Sequence, residues 1–398
     1  IPLLQRIVRE HPDFQLLDAV LYQLAWLLSD QGQGDEADRV FEQIAEQHRD
    51  SVYWADGTYR LAQRAAAAEQ YDRARQLADR LTQADCTPEI RSHALFLQGQ
   101  LAASTQRWAG VPGPMQELLK QFPDSPLADT ATFWVAEAYY QQKEYEAALE
   151  WFAKLEPAGL PGEEAWRGMI LLRRAQILAE QQNWQQAYQL ANGIEERFPK
   201  FPQQYEVDCL LGRCLAQQGN FAAAVPRYER VIRSPEGGRT ETAAMAQWLI
   251  GEAFAAQRDL EQALKAYYRV DTLFNYPTWK AAALVQAGKC HELRGERADA
   301  ANVWGQVVAK YSDTPYAQEA AKRLQRLNSK VPAPAAMGVV PASRTIAPTS
   351  RAMLPASEAA GPARKETAAA ASFTAPAPVG PQPQNATRNA RRRTLSQP

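Results

Sequence analysis

Histidine is scarce in this 398-residue chain: four are present, His11, His48, His93 and His291, spread over separate segments. No HExxH, GxSxG, GxGxxG or P-loop phrase accompanies them. The sequence therefore offers no assembled set of ligands, no nucleophile with its base and no phosphate cradle. Cys290 and His291 are adjacent, but neighbours on a helix point about 100° apart, which suits no catalytic dyad. Cysteine is as sparse as histidine, with four residues and no CxxC pair, which excludes the zinc-ribbon and dithiol redox patterns. No apolar run approaches the roughly 20 residues that a membrane-spanning helix requires. Net charge is almost nil, with 44 Lys and Arg against 45 Asp and Glu. The expectation from these absences is a chain that is not an enzyme, takes no small-molecule substrate, and holds no cofactor and no metal.

What the chain does contain is repetition. The segment from Ser125 to Pro157 reads as two helices, with Thr132, Val135, Ala136 and Tyr139 on one apolar face and Ala148, Phe152 and Leu155 on the next. Gln141 to Glu144 is a polar turn between them. Small side chains at Ala136 and Ala148 let the two backbones approach where the helices cross. The second of these positions recurs as Ala37, Ala74, Val111, Ala148, Ala187, Ala224, Ala263 and Ala300, at intervals of 37 or 39 residues. Twelve residues before each lies Gly or Ala: Ala25, Ala62, Gly99, Ala136, Ala175, Gly212, Gly251 and Gly288. Seven residues after each lies an aliphatic residue, from Ile44 and Leu81 through to Val307. Three aligned columns over eight copies signal a solenoid of stacked helical hairpins.

This pattern resembles the tetratricopeptide repeat, with units longer than that family's usual length of about 34 residues. The surplus lies at the end of the second helix, in phrases such as QFPDSPLADTA and KYSDTPYAQEAAKRL. The long-period subtype resembles two groups of bacterial envelope proteins: the periplasmic coordinator associated with the Tol-Pal system, and the lipoprotein of the outer-membrane assembly machinery. The resemblance covers roughly residues 1 to 328. It implies an all-α fold, a right-handed α-solenoid whose concave surface is lined by the first helix of each hairpin. It also implies a protein–protein interaction scaffold, with periplasm or cell envelope as its compartment. Contact with a membrane would then be indirect, or through an N-terminal anchor upstream of Ile1.

Taken in order, the chain opens on residues 1–12, which match the second helix of a repeat. Leu4 and Ile7 correspond to Phe41 and Ile44, so upstream sequence is expected to complete that repeat. Eight repeats follow between residues 17 and 313, near 17–50, 54–87, 91–123, 128–157, 167–200, 204–236, 243–277 and 280–313. In the third, the second helix is expected to begin at Pro114, where a missing N–H costs little. In the sixth, Pro226 is expected to kink the second helix or to delay its start. Two-residue insertions fall in turns near LPGEE and SPEGGRT. Residues 315–328 form a last helix with a polar outer face, as the end of a solenoid requires. Residues 1–330 carry 36 basic and 43 acidic side chains, a net of −7, whereas 331–398 carry 8 and 2, a net of +6. That basic segment holds 18 Ala, 11 Pro and a single aromatic, Phe373, so it is expected to be a disordered tail. The acidic body argues against nucleic acid as a partner.

Cys214 and Cys290 share a column otherwise filled by residues such as Leu27 and Ala138, which points to packing. His291 shares its column with Tyr139 and Phe254, so a packed ring is expected there. The candidate binding groove is an aromatic ladder three residues before the small residue of each first helix: Tyr22, Tyr59, Phe96, Phe133 and Trp248. Beside it runs a polar ladder, Gln63, Gln100, Glu137, Gln176, Arg213, Glu252 and Lys289, in which Trp26 is the aromatic exception. Such an arrangement suits a peptide held against the concave face. The rival expectation for the rings is that they seal the joints between hairpins. The rival expectations for the whole chain are a regulatory arm of a larger enzyme and an adaptor acting through the basic tail.

Overall fold

Eight hairpin turns set the architecture, and all eight are built alike. The residue five before each crossing position has positive φ: Gly32, Glu69, Gln106, Lys143, Gln182, Gly219, Arg258 and Gly295. The N–H of the following residue reaches back to the carbonyl five residues earlier, as in Gln33 to Leu28 at 2.9 Å and Glu296 to His291 at 2.9 Å. This left-handed Schellman cap ends one helix by satisfying its last carbonyls and aims the chain into the next. Only three of the eight positions are glycine, so five residues accept the steric penalty of that conformation.

The computed structural model describes residues 1–155 and 164–329, and these fall into two units. The first contains α1 (Pro2–Glu10) and the hairpins α2 (Leu17–Asp30) with α3 (Gly34–Gln47), α4 (Trp54–Ala67) with α5 (Tyr71–Gln83), α6 (Pro88–Ser104) with α7 (Pro112–Gln121), and α8 (Ala128–Gln141) with α9 (Tyr145–Ala153). The second contains α10 (Glu164–Glu180) with α11 (Trp184–Arg197), α12 (Gln204–Gln217) with α13 (Phe221–Arg233), α14 (Glu241–Ala256) with α15 (Leu260–Leu273), α16 (Pro277–Leu293) with α17 (Arg297–Lys310), and finally α18 (Pro315–Asn328). Among the described residues there is no strand, and no helix is long and apolar enough to cross a membrane. Each unit is a helical solenoid in which a helix packs mainly on the next one along the chain and the next but one.

The crossing column is the seam of both units: all eight of its residues, Ala37 to Ala300, are completely buried. Opposite the small residue of the first helix stands the residue four places beyond the crossing position, and where that residue is a ring the two sizes are matched. Ala25 and Ala136 face Phe41 and Phe152, whereas Gly212, Gly251 and Gly288 face Tyr228, Tyr267 and Trp304. A Cβ added at any of those three glycines would collide with the facing ring. The largest rings are thus accommodated only where the opposing helix has no side chain.

One local expectation needs correction, as does one of the two alternatives in a second. α7 begins at Pro112, two residues ahead of Pro114, after a 3₁₀ turn at Trp108–Gly110. Both prolines lie in its first turn, where no hydrogen bond is lost. Pro226 does not delay α13, which starts at Phe221, three residues before Ala224, as Tyr71 starts three before Ala74. The insertion near SPEGGRT lies in the Ser234–Thr240 turn ahead of α14. The insertion at LPGEE and the tail from Val331 lie outside the described residues.

Candidate protein-binding surface

The first helices do not present their rings as an open ladder. Tyr22 and Tyr59 are 5 % exposed, Trp248 4 %, and Phe96 and Phe133 2 %, so none of the five can line a groove. Several of them bridge successive hairpins instead. Tyr22 stacks on Tyr53 with centroids 4.7 Å apart and donates its hydroxyl to Asp56 Oδ2 at 2.5 Å. Tyr59 lies 5.7 Å from the His93 ring, and Trp248 lies 5.7 Å from Trp279. Phe133 packs on Phe152 of its own hairpin at 6.1 Å. Within each unit a first helix packs on its own second helix and on the second helix of the preceding hairpin, so this column faces the joints. Burial, with the Asp56 carboxylate adding to it, holds Tyr22 protonated well above the ordinary tyrosine range. Burial does the same at Tyr59 and holds His93 below the usual imidazole range.

Trp26 is the one aromatic of the six that keeps an open surface. It is half-buried at the edge of α2, beside Leu27, which is 42 % exposed. The Arg60 guanidinium from α4 lies over its ring, 4.7 Å from the centroid, a cation–π pair that holds the indole flat against the next hairpin. Arg60 also faces the buried Asp56 at 3.9 Å. Next to this pair Gln63 donates to the Tyr59 hydroxyl at 3.1 Å, and Gln100 is half-buried one hairpin on. Glu137 departs from the expected polar ladder, being completely buried and accepting from Gln141 at 2.7 Å. Trp26, Arg60 and Gln63 therefore meet across α2 and α4, and Gln100 holds the same repeat position on α6. The sequence did not reveal Arg60, whose column holds Gln, Leu and Trp in the neighbouring repeats.

Tetratricopeptide-repeat family models match residues 19–51, 115–163, 209–276 and 282–314. The chain carries tetratricopeptide repeats. No curated protein matches it. Among solved structures, PilF of Pseudomonas aeruginosa is similar at 17 % identity and a TM-score of 0.45, over 59 % of this chain and 99 % of that one. A tetratricopeptide repeat protein from Parabacteroides merdae is similar at 14 % and 0.49, over 64 % and 93 %. Human IFIT1, solved as a dimer with PPP-AAAA, is similar at 10 % and 0.47, over 77 % and 73 %.

In the tetratricopeptide repeats of the second unit the polar column is knitted into ion pairs. Arg173 meets Gln176 at 2.9 Å and Glu206 at 3.2 Å, and Arg213 meets Glu180 at 3.2 Å. Glu252 accepts from the Tyr267 hydroxyl at 2.6 Å, and burial raises its carboxyl above the ordinary range. Lys289 meets Glu319 of α18 at 3.0 Å. Cys209, Cys214 and Cys290 are buried thiols. His291 is more than a packed ring, because both of its nitrogens are hydrogen-bonded, to Tyr268 and to Glu296.

Proposed function

We propose that the protein is a non-catalytic scaffold, binding partner proteins on the strip formed by Trp26, Arg60, Gln63 and Gln100. Tetratricopeptide repeats generally mediate protein–protein contact, and the observation that supports this particular surface is the half-open indole held under a guanidinium. A flat ring already fixed by its neighbours loses little entropy on binding, while amides beside it offer hydrogen bonds to a partner backbone. In this reading residues 1–330 are the binding body, and the net positive segment 331–398 is an appendage to it. The repeat length of 37 to 39 residues supports an envelope setting through its resemblance to the Tol-Pal-associated coordinator and the outer-membrane-assembly lipoprotein.

The test starts with a photo-crosslinking residue placed at Gln63 in cells of the source organism, and at the exposed Arg39 for comparison. A partner captured from position 63 and not from 39 is the expected result. With that partner purified, Trp26→Ala should weaken binding by about 2 kcal/mol, roughly thirtyfold. Helical content should stay unchanged. Undiminished affinity in a folded Trp26→Ala protein would place the partner elsewhere.

A further inference from the structure

We propose that His291, Glu296 and Asp299 form a binding site for a divalent transition-metal ion of the zinc class. One donor atom from each of the three lies within 4.8 Å of the other two. His291 Nδ1 already stands 2.7 Å from Glu296 Oε2. Donors sharing one zinc at bonds of about 2.0–2.2 Å are about 3.3 Å apart. Asp299, exposed in the first turn of α17, closes the set by side-chain rotation. The second ring nitrogen, Nε2, meets the Tyr268 hydroxyl of α15 at 2.7 Å. A ligating histidine characteristically gives its other N–H to such an outer acceptor, which fixes the tautomer and aims the free nitrogen.

The repeats supply an internal comparison. The column of His291 is otherwise apolar, holding Leu28, Ala65, Ala102, Tyr139, Leu178, Leu215 and Phe254. A packed hairpin is therefore made seven times over without an imidazole. At the position of Glu296, Asn220 and Asp259 use their side chains to cap the following helix. Glu296 makes no such cap. Its two oxygens go instead to His291 and to Arg294 Nη2, the latter at 2.9 Å. Tyr268, too, is an aromatic in a column that holds Glu42, Asp79 and Gln116 elsewhere. His291 and Tyr268 thus depart from the repeat at one junction, where they meet carboxylates whose columns also hold Glu144 and Glu36.

One imidazole and two carboxylates, with room left for water, match zinc and its first-row neighbours. Magnesium and calcium favour all-oxygen shells, and cuprous ion favours sulfur. Arg294 is the resident competitor, because a cation must displace its guanidinium from Glu296. A bound ion would tie the end of α16 to the start of α17, and through Tyr268 to α15.

Zn²⁺ titration by calorimetry and Co²⁺ titration by visible absorption, on the full chain, test the site. One equivalent should bind, with cobalt ligand-field bands that report nitrogen and oxygen ligands. Asp299→Asn and His291→Gln should each remove the bands or weaken binding severely. Tyr268→Phe should weaken binding on the order of 10- to 100-fold. Arg294→Gln should tighten it, and His48→Gln should leave it unchanged. If His291→Gln does not fold, Asp299→Asn decides, since that side chain is exposed. Absence of saturation up to about 1 mM, or equal affinity in the folded Asp299→Asn protein, overturns the proposal.

Discussion

Tyr22 and Tyr228 should respond in opposite ways to the loss of a hydroxyl. The hydroxyl of Tyr22 is the donor to the buried Asp56 carboxylate, so Tyr22→Phe leaves that carboxylate without its shortest hydrogen bond. The expected cost is about 1–3 kcal/mol. The hydroxyl of Tyr228 is buried and makes no hydrogen bond among the described residues, so its desolvation is not recovered. Tyr228→Phe should be neutral or stabilising by about 1 kcal/mol, and urea melts of the two variants give the comparison. The same burial sets the alkaline limit. It raises the thiol of Cys209 from 9.0 to about 12, and those of Cys214 and Cys290 to about 11. Tyr22, Tyr59, Tyr228 and Tyr267 are raised from 10.0 in the same direction. A folded state that keeps protons the unfolded chain has released loses stability as pH rises. Stability from these groups is complete below about pH 9 and falls above it, steepening near pH 10 as the tyrosines of the unfolded chain ionise. The melting temperature should follow that course, and a flat profile to pH 11 would contradict it.

At the scale of the helix, glycine has two opposite meanings that Gly251 and Gly193 separate. Replacing a helical glycine by alanine ordinarily gains about 1 kcal/mol. Gly193→Ala in α11 should gain most of that, because an added Cβ meets nothing within 4 Å. Gly251→Ala should instead cost about 1–3 kcal/mol, because its Cβ runs into the Tyr267 ring. Adding Tyr267→Leu to Gly251→Ala should relieve that clash, a coupling that a double-mutant cycle measures. The small column was plain in the sequence because eight copies repeat it. At Gly212, Gly251 and Gly288 the reason for Gly rather than Ala was also there, sixteen residues on, in the size of the facing ring, and at Gly99 in Met115. The proposed binding surface was less legible there. Tyr22 and Trp26 are four residues apart, about 40° on the helical wheel, and periodicity does not say which side of that angle the neighbouring hairpin covers. Arg60 and the pair His291 and Tyr268 were hidden for another reason: they are departures from the repeat, and aligning the repeats averages departures away.

Within each unit the packing is local, and this governs how the molecule comes apart. In the second unit the helices from α10 to α18 touch mainly their next and next-but-one neighbours. Its core therefore forms by accumulation along the stack, and stability is a sum over repeats and the interfaces joining them. Ala300 is completely buried where α17 crosses α16. Ala300→Asp places a carboxylate there with no space and no counter-charge, a cost of several kcal/mol. In a globule sharing one core that loss would lower protection throughout. In a stack it should melt α16, α17 and α18 first and leave α10 and α11 nearly as before. Native-state hydrogen exchange on Ala300→Asp, read helix by helix along this unit, distinguishes the two. Graded loss, largest at α17 and fading toward α10, is the expected pattern. A uniform fall over α10 to α18 would show that the unit opens as one block, with repeats coupled more tightly than their neighbour contacts alone provide.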